Sequence, residues 1–163
     1  MLAVAVWISG WLRSSIPESV AEEYRAYASN ALPLEADSTV PSELEAYFAA
    51  QGLPFPVRGF DLGMMGYQLE GGSVHPVSSR DGALIAYRGA DGRALLCRMY
   101  EGSIADLPEP LDRRTNQDIA FEVYRDGEVT LVFWQEGAVV CVLAGDANPE
   151  AVIQLAFAKA IRV

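Results

Sequence analysis

The chain has 163 residues, 51% of them hydrophobic and 21% charged, with 22 acidic against 12 basic residues and a net charge of −10. That length and apolar content suffice for one core without disulfide or metal staples, and they exclude a disordered chain. The acidity excludes a phosphate-tracking surface, because nucleic-acid binding needs a concentrated positive face and the densest basic site, Arg113-Arg114, is flanked by Asp112 and Asp118.

Residues 1–12, MLAVAVWISGWL, form an apolar run that meets Arg13. The run is shorter than the roughly 20 apolar residues of a membrane span and lacks the basic start and small-residue cleavage site of a signal peptide. Two readings stand. One is the end of a truncated transmembrane helix, with Trp7, Trp11 and Arg13 at a membrane interface. The other is an amphipathic first helix that sets Val4, Trp7, Ile8 and Trp11 on the core. Residues 1–14 are accordingly set apart as an anchor segment, and residues 15–163 as one α+β domain.

Ser15-Ile-Pro-Glu18 has capping-box spacing with proline in the first turn, which predicts a helix to about Ser29. Val20, Tyr24 and Tyr27 recur at i, i+4 and i+7 and form one stripe, while Glu18, Glu22, Glu23 and Arg25 face water. A second helix is predicted over 41–51, presenting Leu44, Tyr47 and Phe48, with Gly52 as its C′ residue. Leu53-Pro-Phe-Pro56 is extended by its prolines and reads as a strap into a sheet.

From Gly66 onward turn signals divide β-rich runs: Gly71-Gly72, Asp91-Gly92, Asp126-Gly127 and Glu136-Gly137. They predict an antiparallel meander of about five to seven short strands. Residues 102–117, with Pro108, Pro110 and five charges, read as the longest loop. Asn148-Pro-Glu150 opens a last helix whose stripe is Val152, Leu155 and Ala156. The expected fold is therefore α+β, with two N-terminal helices and one C-terminal helix packed on the meander.

No constellation for catalysis, cofactor or metal stands out. His75 is the sole histidine, too few nitrogens for a catalytic zinc site and with no nucleophile motif near it. Glu22-Glu23 and Glu43/Glu45 are surface acids without an apolar run to raise a carboxyl, and the glycine pairs do not open a helix as a phosphate cradle must. Met64-Met65 reads as core filling or as an adaptable exposed patch, and Trp134 as a sheet-core aromatic. Cys97 and Cys141 sit in apolar runs, as two buried thiols or as one bridge.

The order of these elements carries a resemblance. A helix ending in a proline-containing loop is followed by a PSELEAYF helix, the PFPV strap, the GYQLEGGSVHPV stretch, residues 83–87, Gly92-Arg93 and the hairpin of residues 134–144. Over residues 24–160 this resembles the extracytoplasmic portion of membrane-bound anti-sigma factors, which are transmembrane transcriptional regulators. The resemblance implies a non-enzymatic sensor or regulatory domain at the bacterial inner membrane. That domain would face the periplasm, be anchored through residues 1–12, and answer to an envelope signal or a protein partner. Its candidate signalling face is Val20, Tyr24 and Tyr27. The family's sigma-binding part, with its His-x₃-Cys-x₂-Cys motif, has no counterpart here, so a sigma factor would be reached only through a segment this chain does not contain. The competing expectation is a soluble acidic module, a small-ligand carrier or an immunity-like inhibitor of a basic partner.

Overall fold

The computed structural model describes residues 14–161, so Val4, Trp7, Ile8, Trp11 and Arg13 of the anchor segment lie outside the described residues. Helix α1 (Ile16–Ala28) begins at the predicted box: the Ser15 hydroxyl accepts from the Glu18 N–H and the Glu18 carboxylate accepts from the Ser15 N–H. A two-residue strand β1 (Ala36–Asp37) precedes α2 (Pro41–Ala50). A 3₁₀ turn (Gly63–Met65) then leads into β2 (Tyr67–Val74), β3 (Gly82–Gly89) and β4 (Ala94–Glu101). The second half holds a 3₁₀ turn (Ile104–Asp106), β5 (Asp112–Asn116), β6 (Ile119–Asp126), β7 (Val129–Glu136), β8 (Val139–Gly145) and α3 (Pro149–Lys159).

The fold is α+β with one antiparallel sheet, as expected, but the sheet has eight strands in the order β1-β2-β3-β4-β8-β7-β6-β5. Two four-stranded meanders meet along a β4–β8 seam, and the connection from β4 to β5 crosses to the far edge. The extra strands are the edges. β5, DRRTN, lies inside the stretch expected to be loop; it pairs only with β6 and keeps its charges, which gives an edge no apolar alternation to display. Its hairpin turns at Gln117-Asp118, both at positive φ (49° and 62°), a type I′ geometry reached without glycine.

The turn expected at Gly71-Gly72 is instead the middle of β2, next to a register shift between Leu69 and Gly71. Glycine is required there by close approach. A Cβ on Gly71 would stand 2.0 Å from the Ala36 carbonyl oxygen, and one on Gly72 2.9 Å from the Phe48 ring. Glycine thus lets β1 and α2 settle on the strand. At Asp126-Gly127 the aspartate is the last strand residue, and Gly127 (φ 57°) is the first central residue of the loop closed by Asp126 and Val129. Gly137 (φ 62°) does the same between Glu136 and Val139, and both match the type II′ pattern.

Both faces of the central strands are covered, which is why they read as continuous apolar runs. Leu84, Ala86, Leu96, Phe133 and Val142 face α1 through Val20, Ala21, Tyr24 and Tyr27. Ile85, Tyr87, Cys97, Trp134 and Leu143 face α2 and α3 through Leu44, Phe48, Val152 and Ala156.

Candidate functional site

Two buried cations stand out in this frame, one on each face of the sheet. On the α1 side, Arg98 sits in mid β4 with no exposure. Its Nε donates to the Ala83 carbonyl at 3.2 Å, Nη2 donates to the His75 carbonyl at 2.5 Å, and Nη1 bonds the Glu23 carboxylate of α1. The other Glu23 oxygen lies 3.8 Å from His75 Nε2. Glu23, expected to face water, is thus 84% withdrawn from it, its side chain retaining 16% exposure. Burial, followed by the neighbouring Arg98, lowers His75 below the usual imidazole range, with Glu23 opposing. Burial also lowers Arg98, again opposed by Glu23.

The candidate signalling face is brought together around this pair, and it is interior: Val20, Tyr24 and Tyr27 keep 1%, 2% and 5% exposure. The Tyr24 hydroxyl donates to the Ala94 carbonyl at 3.2 Å, and the Tyr27 hydroxyl bonds the Glu70 carboxylate. Glu70 in turn accepts from Arg88 Nε at 2.8 Å. Arg25 closes the C-terminal half of the helix onto Asp126, through Oδ1 at 2.8 Å and the carbonyl at 2.7 Å. Helix α1 is therefore fixed to the sheet by an apolar stripe with a polar tie to β2, β4 and β6.

On the opposite face, Cys97 and Cys141 are both buried and free. Cys97 stands across from Leu143 and Cys141 across from Met99, so the two thiols are diagonal in the β4–β8 ladder. Diagonal neighbours are roughly 7 Å apart, beyond the roughly 4 Å between Cβ atoms that a disulfide spans. The bridge left open by the sequence is absent. Burial raises both thiols, which disfavours the thiolate and its chemistry.

Lys159, in the last turn of α3, is 1% exposed. Its Nζ lies 3.4 Å from the centre of the Phe60 ring, and the Arg58 guanidinium carbon lies 4.2 Å from the same ring. Burial lowers the Lys159 ammonium, with the two thiols and Glu136 raising it and Arg58 lowering it further. Glu136 is already engaged: it accepts from Arg58 Nη2 at 2.5 Å, Trp134 Nε1 at 2.7 Å and the Ile161 N–H at 3.2 Å. Beside the Arg58–Glu136 pair a cavity of about 450 Å³ opens between the strap and the β7–β8 turn, its wall including Phe55, Arg58, Met99, Glu101, Glu136 and Ile161.

Sequence reasoning missed Arg98, Lys159 and the Arg58–Glu136 pair. The signal for Arg98 was a lone charge inside ALLCRMY, in step with the buried Leu96 and Tyr100. For Lys159 it was helical spacing, since Val152, Ala156 and Lys159 follow i, i+4, i+7 and so share the buried stripe. His75 is part of the α1 tie rather than of a nucleophile dyad, and Trp134 is a buried sheet aromatic with its indole N–H satisfied by Glu136. Met64, for which core filling was one expectation, is fully exposed and Met65 partly so. Among the described residues no group of three or more His, Cys, Asp or Glu is placed to hold a metal ion, and no helix is long and apolar enough to cross a membrane. In comparisons with known proteins the chain matches no family model, no curated protein and no solved structure, which leaves the reading of its function to these two faces.

Proposed function

We propose that this chain is a non-enzymatic sensor or regulatory domain of the kind carried by anti-sigma-factor-like transmembrane transcriptional regulators, acting through protein interaction on the extracytoplasmic side of the bacterial inner membrane. The observation that carries the reading is the Glu23–Arg98 tie. Helix α1 follows directly on the apolar run of residues 1–12 in sequence, and its one inward carboxylate neutralises an arginine buried in the sheet. A displacement of that helix leaves Arg98 without its carboxylate, at a cost of about 3–5 kcal/mol. A change at the N-terminal end is in this way converted into a change in the domain core. Contact with a sigma factor would run through a segment outside residues 1–163.

The test is an immunoblot of fractionated native cells with antibody raised against residues 20–163. A membrane band heavier than 17.7 kDa supports the proposal. A soluble band at 17.7 kDa overturns it and leaves the acidic binding module, a reading favoured by the net charge of −10.

A further inference from the structure

A smaller pocket, of about 170 Å³, opens on the α1 side of the sheet where that helix begins. Its walls come from distant parts of the chain: Ile16 at the start of α1, Val77 and Arg80 between β2 and β3, Tyr100 and Gly102 at the end of β4, and Asp106 of the 3₁₀ turn that follows. Tyr100 is 3% exposed, and its hydroxyl is buried with no hydrogen-bond partner among the described residues. A buried hydroxyl left unpaired is costly, and native structures seldom carry one without a reason. A Cβ on Gly102 would stand 3.0 Å from the Tyr100 ring and 3.2 Å from Arg80 Nη1, so glycine leaves room between ring and guanidinium.

Two opposite charges stand at this pocket and do not meet. Arg80 donates to the Glu101 carbonyl through Nη1 and keeps the rest of its donor fork, while the Asp106 carboxylate bonds nothing, and neither has an ion-pair partner among the described residues. Both side chains are exposed, which sets the charges at the open side of the pocket and the unpaired hydroxyl at its buried side. Burial raises the Tyr100 hydroxyl, Arg80 lowers it and Asp106 raises it, so both charges lie within electrostatic reach of it.

We infer that this pocket binds a small zwitterion of the α-amino-acid class, its carboxylate held between Arg80 and the Tyr100 hydroxyl and its ammonium at Asp106. Charge complementarity selects the zwitterion. A carboxylate alone would be drawn to Arg80 and repelled by Asp106, and an amine alone would meet the reverse. A volume well below the roughly 300 Å³ of common ligand pockets limits the side chain to a few atoms, for which Ile16 and Val77 supply an apolar wall. The site deepens the sensor reading by naming the chemical class of its signal. An occupant against Ile16 and Tyr100 joins the start of α1 to β4 two residues beyond Arg98, and so favours the tied position of the helix. It rests on that reading only for the word signal, since binding stands on the pocket itself.

The experiment is a titration of the isotope-labelled full chain followed by amide chemical shifts, with L-alanine, propionate and ethylamine as probes. The last two are alanine without its ammonium and alanine without its carboxylate. Alanine is expected to bind with a Kd below about 1 mM, roughly tenfold or more tighter than either part, with the largest shifts at Ile16, Ser79, Gly102 and Ser103. Asp106→Asn, at an exposed side chain with no bond to lose, should bring alanine to the level of propionate. Tyr100→Phe should weaken alanine severalfold, and the hydroxyl it removes has no partner, so the fold persists. Alanine binding weaker than that limit, equal to propionate or ethylamine, or shifting amides away from this pocket would overturn the inference, as would full affinity in either variant. A pocket that holds only water falls under the first of these outcomes. Because the titration uses purified chain and reads binding alone, its failure is separate from a failure of the fractionation test.

Discussion

On the α1 side of the sheet the guanidinium of Arg98 is met by a carboxylate and two carbonyl oxygens, whereas on the α2 and α3 side the ammonium of Lys159, buried as deeply, meets a ring, two thiols and a carboxylate committed elsewhere. Desolvation bears on both cations, and among the described residues only Arg98 has an ion-pair partner. The compensated charge fixes a helix in place and rewards the native arrangement over a shifted one. Lys159, with no ion-pair partner among the described residues, ties no second element in that way, and burial depresses its ammonium instead. Burial alone therefore does not say what a charge is for; the inventory of its partners does.

The strongest way to break this contrast is to remove the answering carboxylate. Glu23→Ala should cost roughly 3–5 kcal/mol in urea unfolding, because Arg98 stays buried without it. The double variant Glu23→Leu/Arg98→Met should recover most of that loss, and equal instability of the single and double variants would mean packing, not charge, holds α1. Lys159→Met should act in the opposite sense, leaving stability within about 1 kcal/mol of the wild type or above it. Its pH dependence sharpens the point. The folded ammonium lies below the ordinary 10.5, so the unfolded chain binds more protons and wild-type stability gains with rising pH in that window, relative to Lys159→Met, which lacks the gain.

Smaller effects lie at the rim of α1. Arg25→Ala removes ion pairs to Asp126 and Glu128 whose members are about one-third exposed or more, and should cost under about 1 kcal/mol by thermal unfolding. The smallest is expected at His75. Its folded value is depressed, so its contribution is present above the ordinary 6.5 and lost as pH falls through the lowered value. The stability difference between wild type and His75→Gln should shrink on acidification; a difference that grows would mean the Glu23 contact outweighs burial and Arg98.

What the sequence made legible follows the strength of local rules. The capping box at Ser15, the Asn148-Pro-Glu150 helix start and the Val20, Tyr24, Tyr27 stripe depend on neighbours a few residues away, and the structure places them as expected. The edge strand β5 was hidden because an edge needs no apolar alternation, and Gly71-Gly72 imitated a turn because close approach and a reversal of chain ask for the same residue. The buried cations were harder, since what each touches comes from distant parts of the chain: Glu23 lies 75 residues from Arg98, and Phe60 reaches Lys159 only through the strap. Spacing alone marked them as inward, and the identity of their partners needed the fold.

The seam between β4 and β8 has a consequence for how the chain is made. Each meander pairs strands that follow one another in the chain, but β4 waits for β8, which is made only after β5, β6 and β7. Until then the apolar edge ALLCRMY lies open to any other extended chain. A product stopped before Val139 would keep that edge bare, so aggregation of truncated chains, rather than loss of their helices, is the failure this topology builds in.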